Sequence, residues 1–220
     1  MIQVKNLTKN FERNKTSFDA VDNVSLEIKK GEFVAIIGHS GSGKTTFFNM
    51  IAGLIHPTEG SIYIDGQDFG GMKEKEKSKF RNENMGYVLQ GQSLLNNFTI
   101  LDNVCMPAYL SGENKEFKER AMKLLEEIGL ADLANDYPSN LSGGEMRRVS
   151  IVRAMINQPK VLLADEPTSN LDPENAHKVM KMLQEISETG TTVLLSTHEL
   201  EYLEYVDSII KMDHGKISKA

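Results

Sequence analysis

Gly38-His39-Ser40-Gly41-Ser42-Gly43-Lys44-Thr45-Thr46 decides how this chain is read. The run fits G-x-x-x-x-G-K-[ST], with Gly38, Gly43, Lys44 and Thr45 at the fixed positions. Glu32 to Gly38 before it is a short apolar segment of buried-strand type, and Thr45 to Ala52 after it opens as a helix. Glycines let such a loop fold around an anion with successive N–H groups pointing inward, and the helix start adds the positive end of its dipole. Lys44 is then expected to reach the β- and γ-phosphates of a nucleoside triphosphate, and the Thr45 hydroxyl to ligate Mg²⁺. A chance match in a chain of this length is on the order of one in a hundred at average composition. The strand and helix around it make chance less frequent still.

The 220 residues suffice for one sizeable core, or one core with an inserted lobe. Hydrophobic residues at 40% and charged residues at 25% are ordinary for a globular chain. No apolar run approaches a membrane span and no signal-peptide core opens the sequence, so a cytoplasmic protein with any membrane role supplied by a partner is expected. A net charge of −6 without a basic stripe argues against nucleic acid as a ligand. The single cysteine, Cys105, excludes an internal disulfide and reads as a buried, inert thiol. His39, His56, His177 and His214 have no ligand-like spacing to one another and read as structural or surface residues.

Alternation at residues 2–7 and 24–28 predicts strands, with polar residues 12–19 as a loop or hairpin tip between them. Further strands are expected at 61–65, 86–90, 161–165 and 191–196, and a last hairpin at 209–217. Residues 72–81, rich in lysine and glutamate, read as a solvated helix face. Phe117, Ala121, Leu124, Leu125 and Ile128 form one helical stripe, and Ala176, Val179, Met180, Leu183 and Ile186 another. Strands alternating with amphipathic helices imply a largely parallel sheet covered on both faces, interrupted by a helical lobe at roughly 91–160. No regulatory domain is expected after the last hairpin.

Two further motifs carry chemistry. Val161 to Glu166 is a buried strand ending in paired carboxylates, emerging where parallel sheets bind ligands. Asp165 fits a Walker B aspartate that helps hold Mg²⁺, and Glu166 a base for the attacking water. Leu141-Ser142-Gly143-Gly144-Glu145 opens a helix and reads equally as a second anion loop or as a plain N-cap by Ser142.

Taken in order, residues 38–46, Gln90, 141–145, 161–166, 169–172 and His198 resemble the nucleotide-binding subunit of ABC transporters along essentially the whole chain. The resemblance implies an α/β P-loop NTPase with a RecA-like core, an N-terminal antiparallel β subdomain and an inserted α-helical subdomain. It implies one domain over 1–220, with its core in 1–90 and 161–220 and the helical part at about 91–160. It implies an ATPase that forms a homodimer on binding ATP, each ATP lying between one chain's phosphate loop and the other's Ser142, Gly143 and Gly144. Gln90 resembles the glutamine that contacts Mg²⁺ and the attacking water and senses the membrane partner. His198 resembles the histidine that grips the γ-phosphate, and Asp172 the acid that crosses the dimer interface. Phe11 sits where the family places an aromatic ring against adenine, with Phe18 as the competing candidate. Glu145 replaces the usual glutamine, Met146 and Arg147 stand where glutamines are frequent, and His39 replaces a common proline.

From the length and motif spacing of this chain, an inserted coiled coil, paired cassettes or a fused membrane domain is not expected. A free-standing cassette docking on an integral membrane permease at the cytoplasmic face is therefore expected. Residues 137–145, 164–172 and Asn103-Val104 after Thr99-Ile100-Leu101 are similar to the branch of lipoprotein-release, macrolide-export, peptide-resistance and cell-division cassettes. The apolar stretch from Gln92 to Ala108 is the candidate docking surface. Its competing reading is ordinary core.

Overall fold

Branched and apolar residues that alternate through the first thirty positions build a hairpin longer than their pattern predicts. In the computed structural model, which describes residues 2–13, 16–91, 93–111 and 116–219, β1 (Ile2–Arg13) pairs antiparallel with β2 (Thr16–Ile28). The polar residues expected as loop are mostly strand: Phe11 faces Phe18 and Glu12 faces Ser17 across the ladder. A hairpin tip projecting into water has two solvated faces, so alternation fades there without the strands ending.

The chain continues through β3 (Phe33–Ile37), α1 (Lys44–Ile51), β4 (Glu59–Ile64), β5 (Gln67–Asp68), α2 (Glu74–Asn84) and β6 (Met85–Val88). Then follow α3 (Ile100–Ser111), α4 (Glu116–Glu127), α5 (Gly143–Met155), β7 (Val161–Asp165), α6 (Pro173–Glu188), β8 (Thr192–Thr197), β9 (Ser208–Asp213) and β10 (Lys216–Lys219). One sheet is antiparallel, in the order β2-β1-β4-β5; the other runs β10-β9-β3-β8-β7-β6, with only the β9–β10 pair antiparallel.

The second sheet is covered on both faces, as its unbroken apolar runs require. Val34 and Ile36 of β3 join Phe47 and Phe48 of α1 and the inner face of the first sheet. Phe33 and Ala35 join Leu162, Leu195 and the Val179–Leu183 stripe of α6 on the other side. A third core gathers α3, α4 and α5 around Val104, Cys105, Ala121, Leu125, Val149 and Val152. Cys105 is buried there, and burial pushes its thiol pKa up, as an inert thiol requires. Helix α2 is less solvated than its composition suggests. Lys77 is buried with its ammonium over the Phe69 ring and bonded to the Gly70 carbonyl, and Phe80 packs inward beside it.

What matters for function is the carboxyl edge of the parallel strands. Register pairs Ile37 with Thr197, Asp165 with Ser196, and Val88 with Ala164. Four strands therefore deliver the phosphate loop, Gln90, the paired acids and His198 to one edge, where such sheets bind ligands.

Candidate active site

The loop between β3 and α1 is held from both sides by backbone. A side chain at Gly38 would place its Cβ 2.3 Å from the Met212 carbonyl oxygen, and one at Gly43 2.2 Å from that of Ala20. Gly43 also caps α1 with φ at 107°, a conformation costly for any other residue. Lys44, 5% exposed, arches back so that its Nζ donates to the carbonyls of Gly38 (2.7 Å) and His39 (3.1 Å). Burial pushes its pKa down, opposed by the Glu166 and Asp165 carboxylates. A buried ammonium satisfied by carbonyls alone, beside a buried Ser42 hydroxyl without a partner among the described residues, fits an anionic ligand.

Phe11, Ser40, Gly41, Gly43, Lys44, Thr45, Thr46, Gln90 and Glu166 line one cleft of about 500 Å³. Phe18 lines it too, its ring centroid 6.0 Å from that of Phe11 and tilted by 33°, so both aromatic candidates face the same space. Gly38, His39, Ser42 and Asp165 do not line it, and Ser42 and Asp165 are buried. His39 bonds Asp213 through Nε2 (2.9 Å) and Ser40's carbonyl through Nδ1 (2.7 Å), and both contacts raise its pKa, that to Ser40 most.

The acids are arranged by a residue the sequence reading passed over. The Ser196 hydroxyl donates to Asp165 Oδ1 (2.5 Å) and accepts from the Glu166 amide (3.0 Å), while the Ser196 carbonyl accepts from the same amide (3.1 Å). Asp165 is thereby fixed inside the strand edge. Glu166 turns out of it with φ at 48°, a left-handed conformation that costs a non-glycine residue about 1 kcal/mol or more. Its carboxylate then lies between Gln90, whose Nε2 donates to Oε2 at 2.7 Å, and His198, whose Nδ1 is 3.4 Å from Oε1. Gln90, Glu166 and His198 are thus one cluster.

Ser142 caps α5 in a capping box. Its hydroxyl accepts from the Glu145 amide (3.3 Å) and donates to the Glu145 carboxylate (2.7 Å), which also takes the Ser142 amide (2.7 Å). Asp172 caps α6 by accepting from the Asn175 amide (3.0 Å) and side chain (2.6 Å). Asn175 in turn closes on the start of α5: a Cβ at Gly144 would lie 2.4 Å from its Oδ1, which also accepts from Arg148 (3.2 Å). Ser142, Gly143, Gly144 and Asp172 take no part in the cleft that holds Lys44. Gly143 lines a separate one of about 280 Å³ with Arg147, Ser169 and Leu171. Two arginines of α5, Arg147 buried and Arg153 half-buried, fasten the segment after β6: Arg147 donates to the Leu89 carbonyl (2.9 Å), and Arg153 to the Ser93 carbonyl and hydroxyl (2.7 Å each).

A glycine-framed phosphate loop facing paired carboxylates at the edge of a parallel sheet defines a P-loop nucleoside-triphosphate hydrolase. The model of the family described as "ABC transporter" matches residues 21–169, and an AAA-domain model matches residues 138–204. The lipoprotein-releasing system ATP-binding protein LolD of Bacteroides thetaiotaomicron is 42% identical over 221 residues, covering 100% of both chains. The methionine import ATP-binding protein MetN 1 of Oceanobacillus iheyensis is also 42% identical, covering 99% of this chain and 65% of its own. A dimeric post-hydrolysis structure of the ATP-binding cassette MJ0796, bound to ADP and Pi, superposes with a TM-score of 0.91 at 37% identity, over 100% of this chain and 98% of that one. This chain belongs to the ABC transporter family and is one of its ATP-binding, ATP-hydrolysing cassettes.

Proposed function

We propose that two copies of this chain close head to tail on two ATP molecules and drive a separate membrane permease, with residues about 91–160 as the helical subdomain. The observation that carries this reading is the separation of two anion-binding loops. Lys44 and its loop line one cleft, whereas Ser142 to Gly144 lie away from it, so one chain holds two half-sites. A second chain would bring its Ser142 loop over the first chain's nucleotide, with Asp172 at the interface. The dimeric arrangement named for the MJ0796 cassette supports this.

Within each site, residues 38–46 cradle the phosphates and Phe11, with Phe18 beside it, receives the adenine ring. Thr45, Gln90 and Asp165 would hold Mg²⁺. Their oxygens suit that hard cation, and Gln90 spends its amide nitrogen on Glu166, which leaves its carbonyl oxygen free to ligate. When bound, Mg²⁺ neutralises charge on the β- and γ-phosphate oxygens. Glu166 accepts the proton of the attacking water, and His198, on its other side, faces the γ-phosphate. Lys44 and Ser142 stabilise the developing charge.

Leu95 and Phe98, 44% and 42% exposed just before α3, support docking on a membrane protein at the cytoplasmic face, since apolar side chains gain by being covered. Of the proposed docking stretch, Gln92 lies outside the described residues, and Ile100, Val104, Cys105 and Ala108 are core. Asn103, buried, holds the turn that presents the exposed pair: its side chain bonds Leu95 through both amide and carbonyl, and the Phe98 and Thr99 carbonyls as well. No helix among the described residues is long and apolar enough to cross a membrane, so the span is assigned to the partner. The export, lipoprotein-release or peptide-resistance branch is favoured by the wording of residues 137–145 and 164–172 and by LolD's full-length match. Import is the second reading, favoured by MetN 1 at equal identity.

Isolation of the tagged chain from native membranes tests this. A few-span membrane protein with a large extracytoplasmic domain is the expected companion. A many-span permease with a solute-binding protein would move the assignment to import. Recovery with no membrane partner would overturn the transport reading and leave the ATPase standing.

A further inference from the structure

The parallel pairing of β3 with β9 sets Ile37 level with Lys211, and two residues beyond the end of that ladder the side chains of His39 and Asp213 meet. Histidines 175 positions apart in the chain, 39 and 214, thereby meet beside the cleft that His214 lines, their ring centroids 5.5 Å apart and edge to face. His39 Nε2 lies 2.9 Å from Asp213 Oδ1, and His214 Nε2 lies 3.9 Å from the same oxygen. The three donor atoms all fall within 4.8 Å of one another. We propose that His39, Asp213 and His214 form a binding site for a transition-metal dication of the Zn²⁺ class.

Two features beyond proximity support it. The Nδ1 of His39 is engaged by the Ser40 carbonyl at 2.7 Å, which orients the ring and leaves Nε2 as the ligating nitrogen. Backbone-bonded histidines of this kind are the usual outer support of metal-binding imidazoles. His214 occupies the turn between β9 and β10 at φ 44°, followed by Gly215 at φ 77°, a place where glycine or asparagine is favoured for lack of strain. A histidine held there at some conformational cost points its ring at Asp213.

The donor set then decides the metal. Two imidazoles and one carboxylate suit Zn²⁺, Co²⁺ or Ni²⁺ and leave at least one position for water, whereas Mg²⁺ prefers oxygen alone. Ligand distances near ~2.1 Å in a tetrahedral site need donor atoms ~3.4 Å apart. The 2.9 Å and 3.9 Å separations bracket that value, and the exposed His214 ring is free to close the remaining gap. Occupancy would tie the β9–β10 turn to the phosphate loop, because the His39 carbonyl also accepts from Lys44. The site stands on protein atoms alone and does not depend on the transport reading.

Calorimetric titration of the nucleotide-free protein with Zn²⁺ tests it, using wild type, Asp213→Asn, His214→Gln and His56→Gln as an exposed control. One saturable site per chain is expected in wild type and control, weakened at least tenfold in the other two. Added Co²⁺ should give ligand-field bands lost in the same two variants. Melting without metal verifies that each variant folds, and Zn²⁺ should raise the melting temperature only of wild type and control. No saturable binding in wild type, or equal affinity in all four proteins, would overturn the site.

Discussion

Gln90 donates from Nε2 to Glu166 Oε2 across 2.7 Å, joining the segment after β6 to the residue after its neighbour β7. The amide thus orients the carboxylate assigned as base, and holds it without neutralising it. Glu166→Gln keeps the shape and removes the proton acceptor. ATP turnover should fall by about 10²–10⁴-fold, the usual worth of a general base, while ATP binding persists and the dimer accumulates in size-exclusion chromatography. Unchanged phosphate release would remove Glu166 from the role.

Lys44→Ala removes a buried cation whose acceptors are carbonyls, and should lower turnover at least about a hundredfold, as losing one preorganised charge-stabilising donor does. Ser142→Arg should be equally poor by itself. Mixed in equal amounts, the two variants should regain activity, because a mixed dimer contains one intact site. Absence of rescue in dimers shown to be mixed counts against assembly in trans.

Leu95→Asp or Phe98→Asp should release the membrane partner during purification. The isolated chain's ATPase rate should stay near that of wild type, since neither residue lines the Lys44 cleft and such surface changes usually alter stability by no more than about 0.5 kcal/mol. Retention of the partner in both variants would shift docking elsewhere.

Arg147→Met keeps a long apolar stem but leaves the Leu89 carbonyl without its donor. Leu89 itself is exposed, so urea unfolding should show a loss of about 0.5–1.5 kcal/mol, the net worth of a typical hydrogen bond. Turnover should fall more than ATP affinity if the link positions Gln90. Wild-type stability and turnover together would show that the link is idle.

The Glu145 carboxyl is held below the ordinary carboxylate range by the Ser142 hydroxyl and amide. Its contribution to stability is complete above its unfolded pKa and is lost as the pH falls through the lower folded one. The melting-temperature gap between wild type and Glu145→Ala should therefore be widest near neutrality and narrow in acid. A gap independent of pH would show that the charge contributes nothing.

Much of this site was legible because its chemistry is local. Residues 38–46 carry loop, lysine and hydroxyl within one turn of chain, and β7 reads as apolar because both its faces are buried. Ser196 was not legible. A hydroxyl ending a strand acquires meaning only when register sets it beside Asp165. The same holds for His39 and His214, which read as unrelated surface residues until β3 pairs with β9 and brings Asp213 between them. Residues 16–19 of β2 and 10–13 of β1 were obscured by the opposite effect, since a strand wet on both faces loses the pattern that announces it. Asn103 looked like a family word and proved to be the clamp of a turn.

Arg147 and Arg153 give the α5 helix a hold on both Leu89 and Ser93, on either side of Gln90. Linkage makes such a hold symmetrical: whatever nucleotide does to the tilt of that helix, tilting the helix does to nucleotide affinity by the same factor. A permease pressing on Leu95 and a second chain gripping Ser142 would therefore both register as changes in how tightly ATP is kept. In the proposed assembly the two guanidinium groups would carry that coupling in both directions.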